Sequence, residues 1–160
     1  MRIVILGSGN VAFHLAKAFS ENKIGVSQIF GRNGKALKEI SEHCNIPYST
    51  DEMMDADLYI IAVKDDVTAE ISRKIIKEDC LVAHTSGSLP KEILEGNYRK
   101  ASFYPLQTFS KSKKLNYAEI PFFVEAENQE DLEVLKNLAS QVSENVMVSD
   151  YEKRKYIHLT

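Results

Sequence analysis

The sequence predicts an α/β fold: a doubly wound, mainly parallel sheet with helices on both faces. Three observations predict it. Short apolar runs without polar alternation recur at 2–6, 57–63 and 81–85, the pattern of strands covered on both sides. Segments with apolar residues at helical spacing alternate with them. The first run passes through a glycine turn, Gly7-Ser8-Gly9-Asn10-Val11-Ala12, directly into such a helical segment. At 160 residues the chain is about one domain, long enough to bury a substantial core.

The turn after the first strand has the Gly-x-Gly-x-x-Ala spacing that binds a dinucleotide when it joins strand to helix. Gly7 supplies the tight turn, Gly9 lets a pyrophosphate approach the backbone, and Ala12 keeps helix and strand close. Ser8, Asn10 and Val11 complete the loop, and the free N–H groups of residues 10–12 with the helix dipole suit phosphate. Residues 24–30 read as the second strand, ending in Gly31-Arg32-Asn33. An acidic residue there would select NAD through the ribose hydroxyl. Arg32 instead offers a planar cationic fork for a 2′-phosphate, with Asn33 as a further donor, and points to NADP. The plainer alternative is a surface arginine in a strand-to-helix turn.

Residues 35–44 form an amphipathic helix with Leu37 and Ile40 inward, and 46–49 a brief third strand. Thr50 and Asp51 read as turn and cap residues before a short segment ending at Asp55. The fourth strand, 57–63, places Ala62 and Val63 beneath the cofactor, with Lys64 flanking it. Asp65 and Asp66 read as caps of a helix through residue 76 rather than as catalytic acids. The fifth strand, 81–85, ends in His84-Thr85-Ser86-Gly87-Ser88-Leu89-Pro90, hydroxyl-rich as a ligand crevice is. Thr85 faces the cofactor; Ser86 and Ser88 offer hydrogen bonds to nicotinamide or substrate, or Ser88 caps a helix begun at Leu89-Pro90. His84 is either a core histidine with its hydrogen bonds satisfied or a base. The sixth strand, 101–108, is broken by Pro105, so Tyr104 and Gln107 project into the mouth of the site or Tyr104 packs. Ser86, Tyr104 and His84 are the catalytic candidates. Residues 111–117 read as a mobile polar loop. A strand at 120–125, a helix at 129–142, a closing strand at 145–148 and a helix capped by Asp150 complete the chain.

The net charge of −3 gives no reason to expect nucleic acid. The basic clusters Lys111, Lys113, Lys114 and Lys153, Arg154, Lys155 are short, sit among acidic residues and read as solvated faces. Cys44 and Cys80 are the two cysteines, in no metal-binding spacing, so no metal is expected and a reducing, cytoplasmic setting is. The first residues are a core strand rather than a signal peptide, and no apolar run has membrane-spanning length.

The glycine turn, Gly31-Arg32-Asn33, the run 58–63, His84 to Ser88 and Tyr104-Pro105-Leu106-Gln107-Thr108-Phe109 together resemble one family. Its members join an N-terminal Rossmann-like NADP-binding domain to a C-terminal helical domain of unknown function. They are similar to the group of 6-phosphogluconate dehydrogenase, pyrroline-5-carboxylate reductase and the deazaflavin-dependent NADP oxidoreductases. The resemblance implies an NADP-binding domain over 1–149, with 150–160 opening a helix toward a helical domain outside this chain. In the wider group that domain supplies part of the substrate pocket and much of the interface of a homodimer. Tyr104 stands where the family often has a histidine in a His-Pro-Leu-Gln run, and a tyrosine does not titrate near neutral pH. The expectation is an NADP(H)-dependent oxidoreductase moving a hydride to or from a small carbonyl, imine or hydroxyl compound. The alternative is a non-catalytic NADP(H)-binding module that senses redox state.

Overall fold

The computed structural model describes residues 1–159. Eight strands form one sheet: β1 (Ile3–Leu6), β2 (Gln28–Phe30), β3 (Tyr48–Ser49), β4 (Leu58–Ile61), β5 (Leu81–His84), β6 (Arg99–Pro105), β7 (Phe122–Ala126) and β8 (Val146–Val148). Their order is β3-β2-β1-β4-β5-β6-β7-β8, and every pairing is parallel except β6 with β7. The helices are α1 (Asn10–Glu21), α2 (Gly34–Cys44), α3 (Asp65–Ser72), α4 (Gln129–Ser140) and α5 (Tyr151–Leu159). The fold is the expected α/β, Rossmann-like one.

Alternation along each strand divides the core between the two faces. Ile3 and Ile5 of β1 pack with Ala12 and Phe19 of α1, Leu37 and Ile40 of α2, and Leu135 and Leu138 of α4. Val4 and Leu6 point the other way, to a smaller core with Ile61, Ile71, Val82, Leu94 and Tyr98. Because both faces are covered, β1, β4 and β5 are buried at every position, which is why their sequences carry no polar alternation.

Several elements are shorter than their apolar patterns. The second strand begins at Gln28, the first residue in register with β1, while Ile24 and Val26 pack on the core from a loop. The third helix ends at Ser72, whose hydroxyl turns back to the Ala69 carbonyl and accepts from the Glu95 N–H, leaving Ile76 91% exposed. No helix follows Asp51; the Ser49 hydroxyl accepts from the N–H groups of Asp51 and Glu52 instead. Leu89-Pro90 opens only a 3₁₀ turn, Lys91–Ile93, and Ser88 does not cap it. Lys64, without a side-chain cap, is the N-cap of α3, so Asp65 and Asp66 lie inside the first turn, where their charge suits the dipole. Pro105 closes β6 rather than breaking it, because pairing with β5 has already ended at Ser102.

Candidate functional site

A cleft of about 900 Å³ opens at the carboxyl ends of β1, β2 and β4. The order of strands reverses between β1 and β4, so the cleft sits at the topological switch point of the sheet. Gly7 makes this junction possible. Its φ is +129°, and a Cβ there would stand 2.1 Å from the Ala62 carbonyl oxygen, so no other residue fits. Gly9 is different. As the N-cap of α1 it has an ordinary φ of −85°, and an added Cβ would meet nothing within 4 Å. The fold does not require glycine at 9; open space in front of an uncapped helix does suit a ligand's phosphates. No side chain caps α1 and no acidic residue lies in its first turn, so the positive end of the helix is unopposed. The residues present therefore fit a dinucleotide.

Every cofactor candidate except Thr85 lines this cleft: Gly7, Ser8, Gly9, Asn10, Val11, Arg32, Asn33, Ala62, Val63 and Lys64. Phe30, Val63, Val67 and Ile71 give it an apolar wall. Arg32, Lys64, Lys74 and Lys111 give it four cations, against the one carboxylate of Asp66. None of these cations is in an ion pair among the described residues. Asn33 has a structural duty as well, its Oδ1 accepting from the Ala36 N–H at 3.1 Å as the cap of α2. Lys74 and Lys111 were not legible as cleft residues: one belongs to a helical pattern, the other to a basic run read as a solvated face.

Thr85 lies outside the lining, its hydroxyl donating to the Ile61 carbonyl at 3.1 Å. The residues after β5 form a separate polar cluster. The Ser86 hydroxyl accepts from the Ser88 N–H at 3.0 Å, and the Ser88 hydroxyl donates to Asp65 at 2.5 Å. His84 is fully buried, and its Nδ1 accepts from the Ser86 N–H, so Nε2–H donates to the Pro90 carbonyl at 3.1 Å. Burial, then the nearby Arg154 charge, lowers its pKa to about 4. With both nitrogens engaged by the backbone, His84 has the hydrogen bonds of a core histidine, the first of the two readings its sequence position left open.

Tyr104 is 8% exposed, and its hydroxyl lies 2.9 Å from Nδ1 of the exposed His158 on α5. Burial and then Asp65 raise the Tyr104 pKa. A Cβ at position 87 would stand 2.8 Å from the Tyr104 hydroxyl and 2.7 Å from His158 Nδ1, so Gly87 admits this pair. Arg154, one helical turn before His158, fixes α5 in place. It is 1% exposed, pairing with Glu125 at 3.0 Å and donating to the Leu89 carbonyl at 2.6 Å. Its reading as part of a solvated basic face is therefore wrong. The signal available was the i, i+4 spacing of Arg154 and His158, which puts both on one face of the helix.

Among the described residues no group of three or more His, Cys, Asp or Glu side chains is arranged to hold a metal ion, and no helix is long and apolar enough to cross a membrane.

The model of the family described as "NADP oxidoreductase coenzyme F420-dependent" matches residues 2–87, more than half of the chain. No curated protein matches significantly by sequence. Among solved structures, a Bacteroides fragilis protein provisionally described as an NADP oxidoreductase is similar over 99% of this chain and 64% of its own, at 39% identity and a TM-score of 0.93. A prephenate dehydrogenase from A. aeolicus, bound to hydroxyphenyl propionate and NAD+, covers 98% of this chain and 62% of its own, at 18% identity and TM-score 0.80. A pyrroline-5-carboxylate reductase from Coxiella burnetii covers 97% and 61%, at 17% identity and TM-score 0.76. The last two likenesses show the fold alone. The chain spans about three fifths of the length of each of these proteins. With the glycine turn and the first five strands inside the matched segment, the chain belongs to the coenzyme F420-dependent NADP oxidoreductase family.

Proposed function

We propose that this chain is the NADP(H)-binding part of an oxidoreductase that moves a hydride to or from a small carbonyl, imine or hydroxyl compound. The observation that carries the reading is the cleft itself: four cations, without an ion pair among the described residues, around an uncapped helix N-terminus, beside a glycine the fold does not need. Gly7 to Val11 hold the pyrophosphate on backbone N–H groups. Arg32, with the side-chain amide of Asn33, holds the 2′-phosphate as a planar fork does. Phe30, Val63, Val67 and Ile71 cover the adenine, and Lys64 flanks the nucleotide. The nicotinamide, when bound, supplies the hydride chemistry. Reduction also needs a proton on the substrate heteroatom, and Tyr104 is the donor in this reading, oriented and resupplied by solvent-exposed His158. Ser86 orients the substrate. On this reading α5 leads into a helical domain that completes the substrate pocket and the homodimer.

One observation favours a second reading, a redox-sensing module without turnover: among the described residues no His, Tyr or Cys lines the dinucleotide cleft. The two are separated by following NADPH oxidation in the presence of small carbonyl and imine compounds, with coenzyme F420, named in the family description, as a further partner. Substrate-dependent oxidation that is lost in Tyr104→Phe supports the first. NADPH binding with no oxidation by any member of the panel favours the second.

A further inference from the structure

The segment between β6 and β7 crosses α1 and is fastened to it by polar contacts. Asn10 Nδ2, in the first turn of α1, donates to the Phe109 carbonyl at 3.1 Å. One turn later His14, 1% exposed, donates from Nε2 to the Ser110 carbonyl at 2.6 Å. Its Nδ1 shares a hydrogen bond with the buried Tyr117 hydroxyl at 2.8 Å, and its ring stacks on Phe109 with centroids 5.3 Å apart. A histidine with both nitrogens spent on one crossing segment is a fastening: residues 109–117 form a strap tied to α1 at Phe109 and Ser110 at one end and at Tyr117 at the other. Lys111 follows the pinned Ser110 directly. It is half-buried and lines the cleft, whereas Lys113 and Lys114 are exposed. It has no ion pair among the described residues.

We infer that Lys111 is a further dinucleotide-binding residue, a strap-borne cation for the pyrophosphate, and that His14 positions it. The inference rests on the proposed reading of the cleft as an NADP(H) site and adds a residue outside the glycine motif. The pyrophosphate is the group assigned because the strap is fastened to Asn10 and His14, at the end of α1 that faces the glycine turn. Arg32 and Asn33, assigned to the 2′-phosphate, stand instead at the end of β2. Position thus divides the cations by the phosphate they serve.

The test is calorimetric titration of NADPH and NADH into the wild-type chain, Lys111→Ala, Lys111→Arg, His14→Phe and the Lys111→Ala, His14→Phe double variant. Since both nucleotides carry the pyrophosphate, Lys111→Ala is expected to weaken them equally, by about tenfold, with Lys111→Arg restoring most of the loss. His14→Phe keeps an aromatic ring and removes both hydrogen bonds. Its loss is expected not to add to that of Lys111→Ala in the double variant, a result that a merely structural histidine would not produce. Wild-type binding with Lys111→Ala unchanged for both nucleotides would overturn the inference and leave the cleft assignment standing. Loss confined to NADPH would also overturn it, by moving Lys111 to the 2′-phosphate. No binding by the wild-type chain would overturn the reading and the inference together.

Discussion

Gly7 and Gly9 look equivalent in the sequence, and the structure separates them by cause. At Gly7 the backbone has positive φ and the Ala62 carbonyl occupies the place of a side chain, so the requirement is architectural. At Gly9 neither constraint exists, and under the proposed reading a side chain there would meet only the bound pyrophosphate. Gly7→Ala is therefore expected to destabilise the fold by about 3 kcal/mol, in the range of strained and overpacked sites. Gly9→Val is expected to stay within about 1 kcal/mol of the wild type, since only a helix cap is altered, yet to abolish NADPH binding. Chemical denaturation and calorimetry on the two variants check this; equal effects on stability would contradict the division. His84 shows where sequence stops short. Its position at the end of a central strand was readable, but its burial and its two backbone partners depend on how the following turn folds back.

At the scale of elements, the sequence disclosed what local periodicity encodes. The strand–turn–helix unit of β1 and α1, the buried strands β4 and β5, and helices α2 and α4 were all legible because their apolar spacing matches a local repeat. The lengths of β2 and α3 were not, being set by pairing register and by a serine that turns back on its helix. Nor was the docking of α5, which depends on one buried arginine reaching Glu125 and Leu89 from distant parts of the chain. Arg154→Ala leaves the Glu125 carboxylate and the Leu89 carbonyl without that partner, a loss of about 3 kcal/mol for a buried pair broken on one side. Hydrogen exchange over residues 151–159 is expected to rise sharply in this variant while NADPH affinity stays the same, because α5 does not line the cleft. Unchanged protection would show that α5 is held by something other than Arg154.

At the scale of the whole molecule, charge is unevenly placed. A chain of net charge −3 gathers four cations without an ion pair among the described residues at one cleft; Arg32 and Lys64 were readable there from the motif around them, whereas Lys74 and Lys111 are brought to it only by the three-dimensional structure. A second global property follows from His84. Its pKa is depressed from the ordinary 6.5 to about 4, so between these values the unfolded chain takes up a proton that the folded chain refuses. Stability must fall as pH falls through that window, by about 2 kcal/mol between pH 7 and pH 5 from this residue. Denaturation at the two pH values checks it: His84→Gln should lose distinctly less than the wild type, and parallel losses would contradict the assignment.

Whether this cleft holds NADP(H) and recognises its 2′-phosphate through Arg32 is decided by titrating NADPH and NADH into the wild-type chain and Arg32→Ala. One site is expected, with a preference for NADPH of about tenfold or more that is lost in Arg32→Ala while NADH affinity is retained. Equal affinity for the two nucleotides in the wild type, or no binding of either, would contradict it.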